Sequence, residues 1–169
     1  MTNSWYIYAF KVSLRILPSY MYSKALNNVK NVFARKALKN VHGTVNFGKK
    51  IRMSTDVTIG RNSGIGDNAF IGGPVDIGDN VMMGPDVRIY RSNHESKRTD
   101  IPMVEQGMTE QTGLKIGNDV WIGDGAIILP SCKKIGDGSI IGARAVVTKD
   151  IPDYSIVVGN PGRVVKKRK

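Results

Sequence analysis

Two side chains in this sequence can exchange a proton near neutral pH, His42 and His94. His94 stands in Ser92 to Gly107, SNHESKRTDIPMVEQG, beside Arg91 and Asn93, which have the hydrogen-bonding groups to meet a polar ligand. An imidazole with a pKa of about 6.5 can take a proton from a hydroxyl and pass it to a leaving group. Glu95 and Glu105 are near enough in sequence to fix its tautomer, and a backbone carbonyl would serve as well, so spacing does not choose among them. His42 falls where one sequence pattern gives way to another and reads as structural. Cys132, in SCKK, has no histidine beside it and reads as a partly exposed structural thiol. A single cysteine forms no internal disulfide and fits a reducing compartment. Two histidines so far apart do not supply a three-histidine zinc site, and no metal is expected.

The elements that must hold His94 announce themselves by a period of six. Val41, Phe47, Met53, Ile59, Ile65, Ile71, Ile77, Met83 and Ile89 recur at every sixth position, many of them followed by glycine. The pattern stops at Tyr90 and resumes with Ile116, Ile122 and Ile128, so the interruption is not a whole number of repeats. A slip of one residue at SCKK, read as a corner bulge around Lys133 and Lys134, carries it on to Ile135, Ile141 and Val147. Six matches neither the 3.6 of a helix nor the 2 of a strand. It fits short strands wound into a three-sided coil, one large inward side chain per face, with Gly, Asn or Asp at corners of positive φ, as RNSGIGDN, IGDNVM and IGNDVW provide. The fold expected is mainly β, a parallel β-helix of about five coils with N-terminal helices and one extended loop. Each inward Ile, Val or Met contributes about 1.5–3 kcal/mol on burial.

A chain of 169 residues, 41% hydrophobic, suits one domain with a small appendage. The expected divisions are a helical segment over 1–40, the β-helix over 41–165 with its loop at 90–115, and a basic tail over 166–169. Pro18 separates two helices. Ser19 is the expected N-cap of the second, whose apolar stripe runs through Met21, Ala25, Val29, Val32, Phe33, Lys36 and Ala37. A short stack leaves two open strand edges, and the helices and tail are placed to cap them.

The net charge of +11 sits at the ends: no acid precedes Asp56, and the stretch after Gly162 is basic. Such ends attract phosphates or an anionic membrane surface. Nucleic acid is not expected, because VVKKRK lacks the interleaved aromatics that bases stack on. WYIYAFKVSLRIL is broken by Lys11 and Arg15, too short to span a bilayer and without the basic lead of a signal peptide. The expectation is a cytoplasmic protein. The same segment's aromatics beside cations suit an interfacial helix at the inner face of the membrane, and they equally suit packing against the β-helix or a neighbouring subunit.

From Val41 to Val165 the chain resembles the hexapeptide-repeat acyltransferases, through the repeats, DVWIGDGAIILP and IGARAVVTKDIPDYSIVVGNPGRVV. The segment IYRSNHESKRTDIPMVEQG is most similar to the bacterial O-acetyltransferases of surface polysaccharides, and more loosely to galactoside and maltose acetyltransferases. The resemblance implies a left-handed coil, opposite to the usual parallel crossover, a homotrimer, and a loop overhanging an active site between two subunits, with His94 as catalytic base. It implies acetyl-CoA as donor, in an apolar groove that ends in cations. Trp121 resembles the family's groove tryptophan; Asp124, Ala143, Thr148 and Lys149 fall at cofactor-lining positions; Arg163 and Lys166 match the phosphate-binding pair. A backbone N–H such as that of Gly123 or Gly125 is the expected oxyanion donor. Gly64 and Gly72 stand where the galactoside enzymes hold their acceptor with an asparagine and an aspartate, so those contacts do not carry over; Asn93 and Arg91 remain as candidate acceptor contacts. The function implied is acetyl-CoA-dependent O-acetylation of a sugar hydroxyl in a surface polysaccharide or its precursor. Alternatives are N-acetylation of an amino sugar, acetylation of an antibiotic hydroxyl, or a non-catalytic membrane-associated binding module. A zinc lyase of the carbonic anhydrase type on the same fold lacks its histidines. The glycan acceptor itself, and whether it is polymer, lipid-linked or nucleotide sugar, is not written in these residues.

Overall fold

A computed structural model describes residues 4–168. Two helices open the chain, α1 (Ser4–Ile16) and α2 (Lys24–Ala37). The strands follow in threes: β1 (Asn40–Val41), β2 (Asn46–Phe47), β3 (Arg52–Met53); β4 (Val57–Ile59), β5 (Gly64–Ile65), β6 (Phe70–Ile71); β7 (Val75–Ile77), β8 (Met82–Met83), β9 (Arg88–Ile89). After the loop come β10 (Leu114–Ile116), β11 (Trp121–Ile122), β12 (Ile127–Ile128), then β13 (Lys134–Ile135), β14 (Ile140–Ile141), β15 (Val146–Val147), and finally β16 (Ser155–Val158) and β17 (Arg163–Lys167). From β1 to β15 each strand pairs in parallel with the third one after it, which builds a three-sided column. The first face is β1-β4-β7-β10-β13, the second β17-β16-β14-β11-β8-β5-β2 and the third β15-β12-β9-β6-β3.

The six-residue period maps onto this column. Val41, Ile59, Ile77, Ile116 and Ile135 stand in register on the first face. Phe47, Ile65, Met83, Ile122 and Ile141 point inward from the second, and Met53, Ile71, Ile89, Ile128 and Val147 from the third. Only Val41 and Met53, in the first turn of the column, are partly open. The corners are taken by Asn62, Asn68, Asn80, Asp86 and Asp119 at φ of 54–58°, where a short polar side chain tolerates the left-handed conformation. Lys50, Arg144 and Tyr154 take the same conformation without that chemistry. The extra residue of the slip falls in the turn through Pro130 and Ser131, just ahead of Lys133, and leaves Lys134 and Ile135 in register with Lys115 and Ile116.

α2 departs from its expected orientation. Its N-cap is Ser23, whose hydroxyl accepts from the Leu26 N–H; Ser19 lies outside the helix and is buried. The face turned inward is Asn27, Lys30, Asn31, Ala34 and Ala37, while Met21, Val29 and Val32 face out. The physical reason is the open edge of the second face. Asn31 donates to Val45 O (2.8 Å) and accepts from Val45 N–H (2.9 Å), and Asn27 donates to Val45 O and accepts from Phe47 N–H. The two amides imitate the strand that would otherwise continue the ladder, and close the edge against another chain. Between them Lys30 drives its ammonium into the end of the column, donating to Gly48 O (2.6 Å) and Pro18 O (2.7 Å). Burial pushes its pKa below the usual lysine value, with Asp67 pulling weakly the other way.

The far end is closed by β17, which folds back antiparallel on β16. The basic tail is therefore a strand through Lys166 and Lys167, and Arg168 pairs with Asp119 at 2.8 Å. Lys169 lies outside the described residues, as do the first three residues of the helical segment.

Candidate active site

The long loop leaves the column after β9, at the edge between the third and first faces, and returns at β10. Its root is a short antiparallel ribbon: Thr112 N–H donates to Arg91 O (2.8 Å), Thr109 N–H to Asn93 O (2.8 Å), and His94 bridges Met108. His94 is exposed at the outer part of this ribbon, with Asn93 exposed beside it. Glu95 is held by its backbone N–H to Gly107 O, and Glu105 lies in a turn of 3-10 helix farther out, Met103–Glu105.

Arg91 does not reach toward an acceptor. It is 2% exposed, and its guanidinium donates to Thr112 O (2.8 Å), Cys132 O (2.9 Å) and Pro130 O (3.1 Å). One fork thus ties the departing chain, the returning limb and the slipped turn together. The expected acceptor contact is instead the anchor of the loop, because three segments converge there with carbonyls that need donors. Cys132, in the same knot, is fully buried rather than partly exposed, and burial raises its thiol pKa to about 11.

The expected cofactor residues fall into two groups. Thr148 and Lys149 follow β15 at the same edge as the loop; the edge stacks Ser54, Gly72, Tyr90, Leu129 and Thr148 one above another. Trp121, 49% exposed, faces outward from the middle of the second face. Asp124 and Ala143 sit on the edge between the second and third faces, stacked so closely that a Cβ on Gly123 would lie 2.6 Å from Ala143 N. The N–H groups of Gly123 and Gly125 are already given to Ile141 O (2.7 Å) and Pro85 O (2.9 Å). The expected oxyanion donor is therefore not one of these two, since the column's own ladder consumes them.

Arg163 and Lys166 sit on β17, three residues apart, a spacing that in a regular strand points side chains to opposite sides. The register shifts between Ile156 and Val157, so that Lys166 pairs with Ile156 and Arg163 with Val158. The bulge re-aims both cations beside outward-facing positions of one face. An outward row results: Met82, Trp121, Ile140, Ile156, then Lys166, in register from strand to strand. With strands roughly 4.8 Å apart, Trp121 and Lys166 are separated by about 14 Å of largely apolar surface. Sequence spacing could not reveal this row, because the bulge exists only once β17 has paired.

Residues 56–91 and 113–149 match the family described as Bacterial transferase hexapeptide (six repeats). The chain is similar to a maltose O-acetyltransferase of Clostridium difficile 630, at 29% identity over 99% of this chain and 90% of that one, with a TM-score of 0.66. It is similar to a galactoside acetyltransferase solved in complex with coenzyme A, at 26% identity over 97% of this chain and 78% of that one, with a TM-score of 0.74. A shorter segment of 53 residues is 58% identical to a chloramphenicol acetyltransferase of Agrobacterium fabrum (strain C58 / ATCC 33970); it spans 31% of this chain and 25% of that enzyme. The matched repeats lie on both sides of the loop, and in repeat, column and loop the chain is similar to the hexapeptide-repeat transferases.

Proposed function

We propose that this protein transfers an acetyl group from acetyl-CoA to a hydroxyl of a sugar in a surface polysaccharide or its precursor. The observation that carries the reading is the outward row that runs from Trp121 over Ile140 and Ile156 to Lys166, with Arg163 beside it. An apolar path ending in two cations suits an extended thioester arm with phosphates at its far end, guanidinium and ammonium each favouring phosphate. The CoA complex of the similar galactoside enzyme supports the same donor. Asp124, Ala143, Thr148 and Lys149 line the rest of the donor's path, and Asn93 meets the acceptor.

In the reaction, His94 takes the proton of the attacking hydroxyl as its oxygen bonds to the thioester carbon. The carbon–sulfur bond then breaks, and the imidazolium returns the proton to the departing CoA sulfur. His94 lies on the loop at the edge between the third and first faces and Trp121 on the second face of one column, so the reading includes a three-fold assembly in which the loop of one subunit meets the second face of the next. Trp5, Tyr8, Ile16, Met21 and Val32 leave an exposed apolar side on the helical pair, beside abundant lysine and arginine. That pattern supports a peripheral seat on an anionic inner membrane surface, where lipid-linked glycans are built. Among the described residues no helix is long and apolar enough to cross a membrane.

A second reading, acetylation of an antibiotic hydroxyl, is favoured by the segment shared with the chloramphenicol enzyme. Acceptor screening separates the two. The test of the common chemistry is release of free CoA thiol from acetyl-CoA with a glycan acceptor. The His94→Ala variant is expected to lose roughly two to four orders of magnitude in rate; turnover at the wild-type rate would remove His94 from the mechanism.

A further inference from the structure

A second concavity lies away from the outward row of the second face: a cavity of about 850 Å³ between α1 and the third face. Lys11 and Arg15 line it from α1, one helical turn apart; Lys50 and Arg52 line it from the turn into β3; Phe70 and Gln111 stand among the apolar and small polar residues of the rest of the wall. No aspartate or glutamate contributes to it. The two basic elements are locked together by the Lys50 N–H, which donates to Leu14 O at the end of α1 (2.7 Å). Among the described residues none of the four cations takes part in an ion pair. Arg52 lies 5.3 Å over the Phe70 ring, which fixes its guanidinium plane and leaves its donors at the rim.

Four like charges held around one concavity repel each other, and they concentrate anions from solution. A neutral sugar makes no use of that field. A carboxylate answers one of the four charges, whereas a diphosphate answers two or more and offers the oxygens that arginine and lysine bind best. The wall also lacks what would oppose a phosphate: Gly72, part of the lining, brings no side chain and no carboxylate. The size lies within the range of pockets that enclose a whole small ligand. The position is right for the chemistry, because Gln111 belongs to the returning limb of the loop, two residues from Thr109, which pairs with Asn93 next to His94.

We infer that this cavity binds the diphosphate of an activated glycan, and holds its sugar so that a hydroxyl reaches His94. The inference rests on the acetyl-transfer reading and names the acceptor class for it. A nucleoside-diphosphate sugar and a polyprenyl-diphosphate-linked sugar share this chemistry.

The experiment is calorimetric titration of the full-length protein, saturated with CoA so that the donor's own phosphate site is filled. Inorganic pyrophosphate is the first probe, and uridine diphosphate and farnesyl diphosphate are the second and third. Pyrophosphate is expected to bind the wild type, and Lys11→Gln with Arg15→Gln to weaken that binding by about tenfold or more. Both side chains are exposed and uncharged amides keep most of their bulk, so the thermal transition of the variant checks that it is folded. Tighter binding of uridine diphosphate assigns the nucleotide source, and tighter binding of farnesyl diphosphate the lipid source. Absence of pyrophosphate binding, or binding indifferent to the two substitutions, overturns the inference even where acetyl transfer proceeds. Pyrophosphate binding that depends on Lys11 and Arg15, with no CoA release on any sugar, upholds the cavity and sinks the acetyl-transfer reading instead.

Discussion

Arg91 and His94 are neighbours in sequence with opposite fates. His94 is exposed on the ribbon at the loop's root, and Arg91 is sealed into the knot that holds that ribbon. Proximity to a catalytic candidate made Arg91 look like a ligand-binding residue. What buries it is the turn at Leu129 to Cys132, which lies 38 to 41 positions downstream and whose carbonyls have no other visible claim in the sequence. The same turn buries Cys132, whose raised pKa follows from its desolvation and from Asp150 nearby. Arg91→Ala is expected to lower the free energy of unfolding by about 3 kcal/mol or more, since a buried network loses its only fork and several carbonyls lose a donor. Arg91→Lys is expected to recover little of that, because an ammonium on a flexible stem does not span three segments. Urea unfolding of both variants measures it; a lysine variant as stable as the wild type would show that charge alone, not the fork, is what the knot needs.

At the scale of elements, the column was legible, and so was which segments cap it; the side chains that do the capping were not. Each inward position of the coil is apolar and recurs at a fixed interval, so the sequence displays the column without knowledge of any contact. The inward face of α2 is Asn27, Lys30 and Asn31, which no rule of apolar periodicity selects. These residues answer to a strand edge that exists only after the column has formed. Asn31→Leu makes the helix more apolar, yet it is expected to cost about 2 kcal/mol by leaving the buried Val45 N–H unmet and its carbonyl with Asn27 alone. It should also promote self-association through the reopened edge. Urea unfolding and light scattering report the two effects, and an unchanged or raised stability would contradict the capping role. The bulge in β17 was equally invisible. If it gathers Arg163 and Lys166 for the donor's phosphates, Arg163→Glu with Lys166→Glu should raise KM for acetyl-CoA by about tenfold or more and leave kcat within a few-fold, the signature of lost ground-state binding. A collapse of kcat at unchanged KM would place the pair elsewhere in the mechanism.

At the scale of the molecule, one column presents two partial sites. The loop with His94 leaves one edge, while Trp121 and the cations of β17 lie on the face beyond the next. On the proposed acetyl-transfer reading these two surfaces are completed by other copies, each loop meeting a neighbour's second face in a closed ring of three. The central claim is that acetyl transfer occurs across that boundary, and mixing two inactive proteins tests it most directly. One carries His94→Ala, the other Trp121→Ala with Lys166→Glu; they are unfolded together in equal amounts, refolded and assayed for CoA release. If the site is shared between neighbours, random trimers place an intact loop against an intact face at about one boundary in four, and about a quarter of the wild-type activity returns. A refolded mixture that forms mixed assemblies and stays as inactive as its components would contradict the account.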